Sequence, residues 1–226
     1  MEGEIYHVYN RGAHKSAIFG IPADYNRFQA LLYLANSRVP VDFREVLDRS
    51  EGRTFAGIFD ESVDQSLVSV LAYCLMPNHF HLVVRQKTEG GISLFMRKLA
   101  TAYSMYFNTK YEHSGTLFQG KFKSKHVDND PYLRWIFSYV HLNPLELVEP
   151  EWKDKGVQNK ERARRYVAEY PYSSHTDYVR EKRAASIIVD FSESLESLRG
   201  FDEFEYLLQW QENDNQPAKV GPSRTL

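Results

Sequence analysis

The stretch from Leu67 to Arg85 constrains the fold more than any other part of the chain. Leu67 to Leu75 is apolar except for Ser69 and rich in β-formers, and Met76-Pro77-Asn78 has turn chemistry. His79 to Arg85 then alternates between residue classes with a period of two. A buried strand, a tight turn and an alternating strand read as a β-hairpin. In the second strand Phe80, Leu82 and Val84 point to one face and His79 and His81 to the other.

Elements on either side extend this hairpin into a domain. Ile5 to Asn10 reads as a strand ended by Arg11-Gly12. Asp24 can cap a helix whose apolar face is Tyr25, Phe28, Leu32 and Ala35. Residues 38–66 are irregular and read as an inserted loop, with a short helix expected near Phe43 to Leu47. After Gly90-Gly91, Ser93 can cap a helix striped by Phe95, Met96, Leu99, Tyr103, Tyr106 and Phe107. The second half of Gly115 to Val127 reads as a strand. Asp130-Pro131 is a strong helix start, and Pro144 ends that helix near Asn143. The order β-α-β-β-α-β-α predicts an α+β fold of the ferredoxin-like βαββαβ type, an antiparallel sheet with helices on one face. The last helix is extra. Residues 1–150 are read as one domain and 151–226 as a C-terminal extension. The extension holds a Tyr/Pro/Ser-rich stretch (Tyr170 to Tyr178), a helix near Phe201 to Trp210 and a disordered tail from Asn215.

Composition excludes several classes. Apolar residues make up 42% of the 226 and charged residues 26%, an ordinary globular mixture. The single cysteine, Cys74, cannot form an intramolecular disulfide, which favours a reducing compartment. No apolar run is long enough to span a bilayer and the N-terminus has no apolar signal core, so a cytoplasmic protein without membrane contact is expected. Net charge is only −2, but it is unevenly placed. From Ser93 to Val127, Arg97, Lys98, Lys110, Lys121, Lys123 and Lys125 face Glu112 alone. From Asp190 to Asp214, eight acids face Arg199 alone. The basic middle suits a polyanion while the acidic end stays off it; the plainer alternative is two solvated faces.

His79 and His81, about 7 Å apart along a strand, can converge on one metal ion. A His-x-His pair in isolation more often marks structural or surface histidines, and two more ligands or an adjacent reactive group would be needed to change that. The last helix offers such groups. Tyr139 and Asn143 are four residues apart and share a helical face, continued upstream by Tyr132 and Ile136. Leu133, Phe137 and Val140 form the opposite, core-facing stripe. Tyr139 also reads as a boundary aromatic and Asn143 as a C-terminal cap.

Four blocks now stand in order: YHVYNRG, AYCLMPNHFHLVV, GTLFQGKFKS and SYVHLNP. Together they resemble the single-tyrosine HUH transposases, and within them the REP-associated tyrosine transposases and transposase-like proteins. The resemblance covers about residues 5 to 150. It implies that His79 and His81 are metal ligands, that Tyr139 is the nucleophile and that Asn143 is the third ligand. Tyr132, Tyr103 and Tyr106 lack the partner four residues on that Tyr139 has. The resemblance implies a transposase acting on single-stranded or hairpin DNA through a covalent 5′-phosphotyrosine and a free 3′-hydroxyl. Ligand softness alone suits zinc or manganese, whereas the resemblance implies Mg²⁺ or Mn²⁺. It also implies a nucleoid-associated protein, monomeric or homodimeric. The loop at 38–66 is longer than in compact members, and the tail after 150 lies outside the blocks.

For DNA, Arg11, Lys121, Lys123 and Lys125 can meet phosphates. Phe118 and Gln119 can stack on or hydrogen-bond a base. Arg162, Arg164 and Arg165 offer a second track. His7 and His14 are candidates for supporting or DNA roles, or simply structural. Two other readings stand beside the transposase: a domesticated hairpin-binding protein that no longer cuts, and a metal-dependent phosphodiesterase that uses water.

Overall fold

The computed structural model describes residues 1–39, 42, 45–46, 55–60, 65–180, 182–192 and 201–212. Four strands, β1 (Ile5–Arg11), β2 (Val68–Met76), β3 (His79–Gln86) and β4 (Lys123–Val127), form one sheet in the order β2-β3-β1-β4. Every pairing is antiparallel. Helices α1 (Pro22–Leu34) and α2 (Gly91–Tyr111) make the two crossovers, completing the ferredoxin-like βαββαβ order. The chain continues as α3 (Asp130–Leu142), α4 (Trp152–Lys155), α5 (Lys160–Glu169), α6 (His175–Val179) and α7 (Glu203–Glu212). Among the described residues, no helix is long and apolar enough to cross a membrane.

Strand alternation sorts the core into two sides. Val8, Phe80, Leu82 and Val84 pack against Phe28 and Leu32 of α1 and Phe95, Leu99 and Tyr103 of α2. On the other side Val83, Leu71, Cys74 and Met76 pack against Leu133, Ile136, Phe137, Tyr139 and Val140 of α3. A bulge between Val70 and Ala72 shifts the phase of β2. The two crossover helices therefore share one face, and α3 covers the other.

Helix α3 departs from the expected one-sided stripe. Ile136 is as buried as Phe137 and Val140 and packs with them on the sheet, Asn143 is fully buried, and Leu142 joins Leu145, Trp152, Val167, Phe204 and Leu207 in a further cluster behind the helix. Three caps also move. Asp24 lies inside α1, where its carboxylate accepts from the Gly20 and Ile21 backbone N–H groups and from Lys110. Gly90, in the left-handed conformation, precedes α2 in place of Ser93. Asn129, not Asp130, caps α3 by accepting from Tyr132 N–H at 2.8 Å.

Residues 55–60 form a 3-10 helix within the expected loop, and Ile58 and Phe59 are buried against the core. Phe43 and Leu47, the ends of the short helix expected there, lie outside the described residues, as does the tail from Asn215. The C-terminal stretch packs closely on the sheet. Leu75 N–H donates to Tyr172 O and Ser174 N–H to Tyr73 O, so residues 172–174 run along the outer edge of β2.

Candidate active site

The site begins at the β2–β3 turn. Pro77 O accepts from Ile18 and Phe19 N–H, and Asn78 O accepts from Gly12 N–H, which fixes where β3 starts. Gly12 must be glycine, because a Cβ there would run into Ser16 O. From this start His79 and His81 emerge on the α3 face with their rings 5.0 Å apart and nearly perpendicular. His79 Nδ1 meets Asn78 Oδ1 at 2.7 Å, and His81 Nδ1 meets His7 Nε2 at 2.9 Å. When both Nδ1 atoms carry the proton, both Nε2 lone pairs are free for a cation.

Helix α3 brings Tyr139 and Asn143 to the same place. Asn143 keeps right-handed helical angles before Pro144, because fully buried Leu145 anchors the 3-10 turn Asn143–Leu147 that continues the helix. Its Oδ1 lies 3.2 Å from His79 Nε2, and its buried Nδ2 finds no hydrogen-bond partner among the described residues. The Tyr139 ring stands perpendicular to His81 at 5.5 Å and stacks on Trp135 at 5.2 Å. Tyr139 thus reaches the histidine pair of its own chain. Its hydroxyl is 3.5 Å from Lys153 Nζ, which also contacts Glu146 at 2.6 Å.

Electrostatics favour neutral imidazoles. Burial lowers the His79 pKa to about 4 and that of His7 to about 3, and it carries His81 well below its ordinary value. Nearby Arg11 and Lys153 also disfavour a protonated His79, although Glu146 and Asn143 oppose them. Two imidazole nitrogens and an amide oxygen, poorly satisfied by the protein alone, fit a divalent cation.

The basic residues fall partly where expected. Lys123 and Lys125 oppose Tyr9 and His7 in β4–β1 register, so they share the site's face. Lys125 also lies over the Tyr132 ring. Lys121 is exposed just before β4, as is Gln119, whose N–H donates to Arg11 O. Phe118 is a correction: it is buried edge-on against Phe80 and faces the core, where it cannot stack on a base. Arg164 is paired with Asp202 and Glu205, which weakens the second track. Among the rival tyrosines, Tyr103 donates to Ile18 O and Tyr106 to Asp24 on the far side of the sheet. Tyr132 is on α3 and buried.

A second titratable cluster lies behind α3. Glu203 Oε2 accepts from His141 Nδ1 at 2.7 Å and from His175 Nδ1 at 3.2 Å, and His141 Nε2 meets Ser174 Oγ at 2.7 Å. The three side chains hold one ligand atom each within 4.8 Å of the others, a grouping compatible with a metal ion. It is separate from the His79, His81 and Asn143 set.

Residues 38–143 match the family model described as transposase, IS200 like. Over those residues, a little under half of its length, the chain is similar to this family. The matched segment contains His79, His81, Tyr139 and Asn143. No curated protein matches the chain. Among solved structures, a REP-associated tyrosine transposase bound to a REP hairpin is similar, at 14% identity and a TM-score of 0.46. The similarity covers 87% of this chain and 93% of that one. At this site, sequence reasoning left His7 open and missed Lys153. The alternation of His7 and Tyr9 with apolar Val8 was a usable signal for His7. Lys153 lies beyond the motif blocks and had none.

Proposed function

We propose that this protein is an IS200-like transposase that cuts and rejoins single-stranded or hairpin DNA through Tyr139. The observation that carries the reading is convergence: Tyr139, His79, His81 and Asn143 come from two elements and their side chains meet at one place. The Tyr139 phenol oxygen attacks phosphorus in line, an O–P bond forms and the bond from phosphorus to the 3′-oxygen breaks. The phenol proton passes to solvent, and the 3′-oxygen leaves as a hydroxyl after taking a proton. The product is a 5′-phosphotyrosine that keeps the ester bond, so rejoining needs no nucleotide hydrolysis. Mg²⁺ or Mn²⁺ held by His79, His81 and Asn143 would supply positive charge for the phosphate oxygens. Arg11, Lys121, Lys123 and Lys125 line the approach for the DNA backbone, and Gln119 is exposed beside them.

The test is incubation with a labelled single-stranded hairpin and Mg²⁺ or Mn²⁺. A labelled adduct that survives denaturing electrophoresis in the wild type and is absent in Tyr139→Phe is the expected result. Binding without an adduct would leave a hairpin-binding protein, and cutting without an adduct a water-using phosphodiesterase.

A further inference from the structure

Lys153 lies ten residues beyond the matched family segment, yet its ammonium is at the nucleophile. The nitrogen is 3.5 Å from the Tyr139 hydroxyl and 5.1 Å from the centre of its ring. Its position has a structural cause. Trp152, only 2% exposed, anchors the short helix α4 in the cluster behind α3, and this turns the next residue back toward Tyr139. Glu146, on the 3-10 turn after Asn143, holds the ammonium from the other side at 2.6 Å. Lys153 is about one-third exposed and Glu146 less than half exposed, so the pair lies between solvent and buried Tyr139.

We propose that Lys153 is a catalytic residue of this site, a fixed positive charge that stabilises the Tyr139 phenolate oxygen, with Glu146 holding it in position. The proposal rests on the reading of Tyr139 as nucleophile. Lys153 keeps its three protons throughout. In the forward step the Tyr139 proton goes to solvent and the phenolate electron pair forms the O–P bond. In the reverse step the departing phenolate regains the Lys153 hydrogen bond. Burial disfavours the ammonium, but Tyr139 and Glu146 outweigh it and the Lys153 pKa is raised, so a charged lysine suits the place. The other titratable groups that act on the Tyr139–Lys153 pair are Tyr9 of β1, Cys74 of β2, and His79 and His81 of β3. Burial keeps the two imidazoles neutral and the Cys74 thiol protonated, and it raises the Tyr9 pKa. Lys153 is therefore the positive charge in direct contact with the phenol among the described residues.

The experiment measures nucleophilicity without DNA, so that it does not depend on cleavage. Sulfonyl-fluoride labelling of Tyr139 is followed by mass spectrometry from pH 6 to 10 in the wild type, K153M, K153R and E146Q. Circular dichroism first confirms that each variant is folded. Labelling is expected to fall about tenfold or more in K153M, while K153R stays near wild type. E146Q, which removes the charged acceptor that holds the ammonium in place, is expected to lower labelling to between the wild type and K153M. Hairpin cleavage by K153M should fall alongside the labelling, while hairpin binding is unchanged. Equal labelling in the wild type and K153M at every pH overturns the proposal. Unchanged labelling with weaker hairpin binding also overturns it and makes Lys153 a phosphate contact. A labelling difference in a wild type that forms no DNA adduct rejects the nucleophile reading while sustaining the Lys153–Tyr139 coupling.

Discussion

At the scale of single residues, the site depends on which nitrogen of each imidazole carries its proton. When His81 Nδ1 carries the proton, His7 Nε2 accepts the hydrogen bond and the other nitrogen of His81 is left for the cation. His7→Phe keeps a ring in the stack with Tyr9 and removes the acceptor. It is expected to weaken Mn²⁺ binding 10- to 100-fold (about the usual effect of a lost supporting partner), read by calorimetric titration. Tyr139→Phe should abolish the DNA adduct, while Tyr132→Phe retains it. Tyr132 has a buried hydroxyl that meets no partner among the described residues, so its loss removes no hydrogen bond there. If Tyr132→Phe were the dead variant, the assignment on α3 would be wrong. The histidine pair was legible because a period of two says which side chains leave the core. The partnership of His81 with His7 was not, since it needs the β1–β3 register that pairs residues more than seventy positions apart.

At the scale of elements, β4 is the piece whose chemistry is most exposed. Lys123 and Lys125 are exposed on the site's face, and Lys121 continues the row. Lys121→Ala with Lys123→Ala should weaken hairpin binding and reduce the magnitude of the log–log salt slope by about 0.7 for each lost phosphate contact. An unchanged slope in fluorescence anisotropy across a salt series would place the track elsewhere. The alternation of Lys121, Lys123 and Lys125 was readable directly. The burial of Phe118 was not, because a single bridge between Gly12 and Phe118 turns that ring inward, and no local pattern encodes it. The caps of α2 and α3 were misplaced for a simpler reason: residues with cap chemistry stand side by side, and only backbone angles separate Asn129 from Asp130. Helix α3 looked one-sided because what covers its back comes from residues 145–207, far along the chain.

At the scale of the whole molecule, the C-terminal stretch is tied to α3 through Glu203. Burial works against its charge, but His141 and His175 outweigh it and the carboxyl falls to about 2. A depressed carboxylate contributes stability above the unfolded value near 4.3, and the contribution is lost as pH falls toward 2. His7 and His141, held neutral by burial, act in the same direction at higher pH: below about 6.5 the unfolded chain takes up protons that the fold refuses. Urea midpoints should therefore fall from pH 8 to pH 5 and fall further near pH 4. At pH 7, Glu203→Gln should cost about 1–3 kcal/mol, because two imidazole donors lose a charged acceptor.

The run of residues 172–174 along β2 has a consequence for how copies of this protein meet one another. An unpaired strand edge is a template for another strand, and a sheet normally has two. Here one is already occupied by the chain's own backbone. The other, β4, is five residues long and displays lysines. Two such edges brought together would set like charges side by side, so the molecule resists growing into a continuous sheet with its neighbours. The same lysines that discourage self-association leave that rim open to a partner of opposite charge.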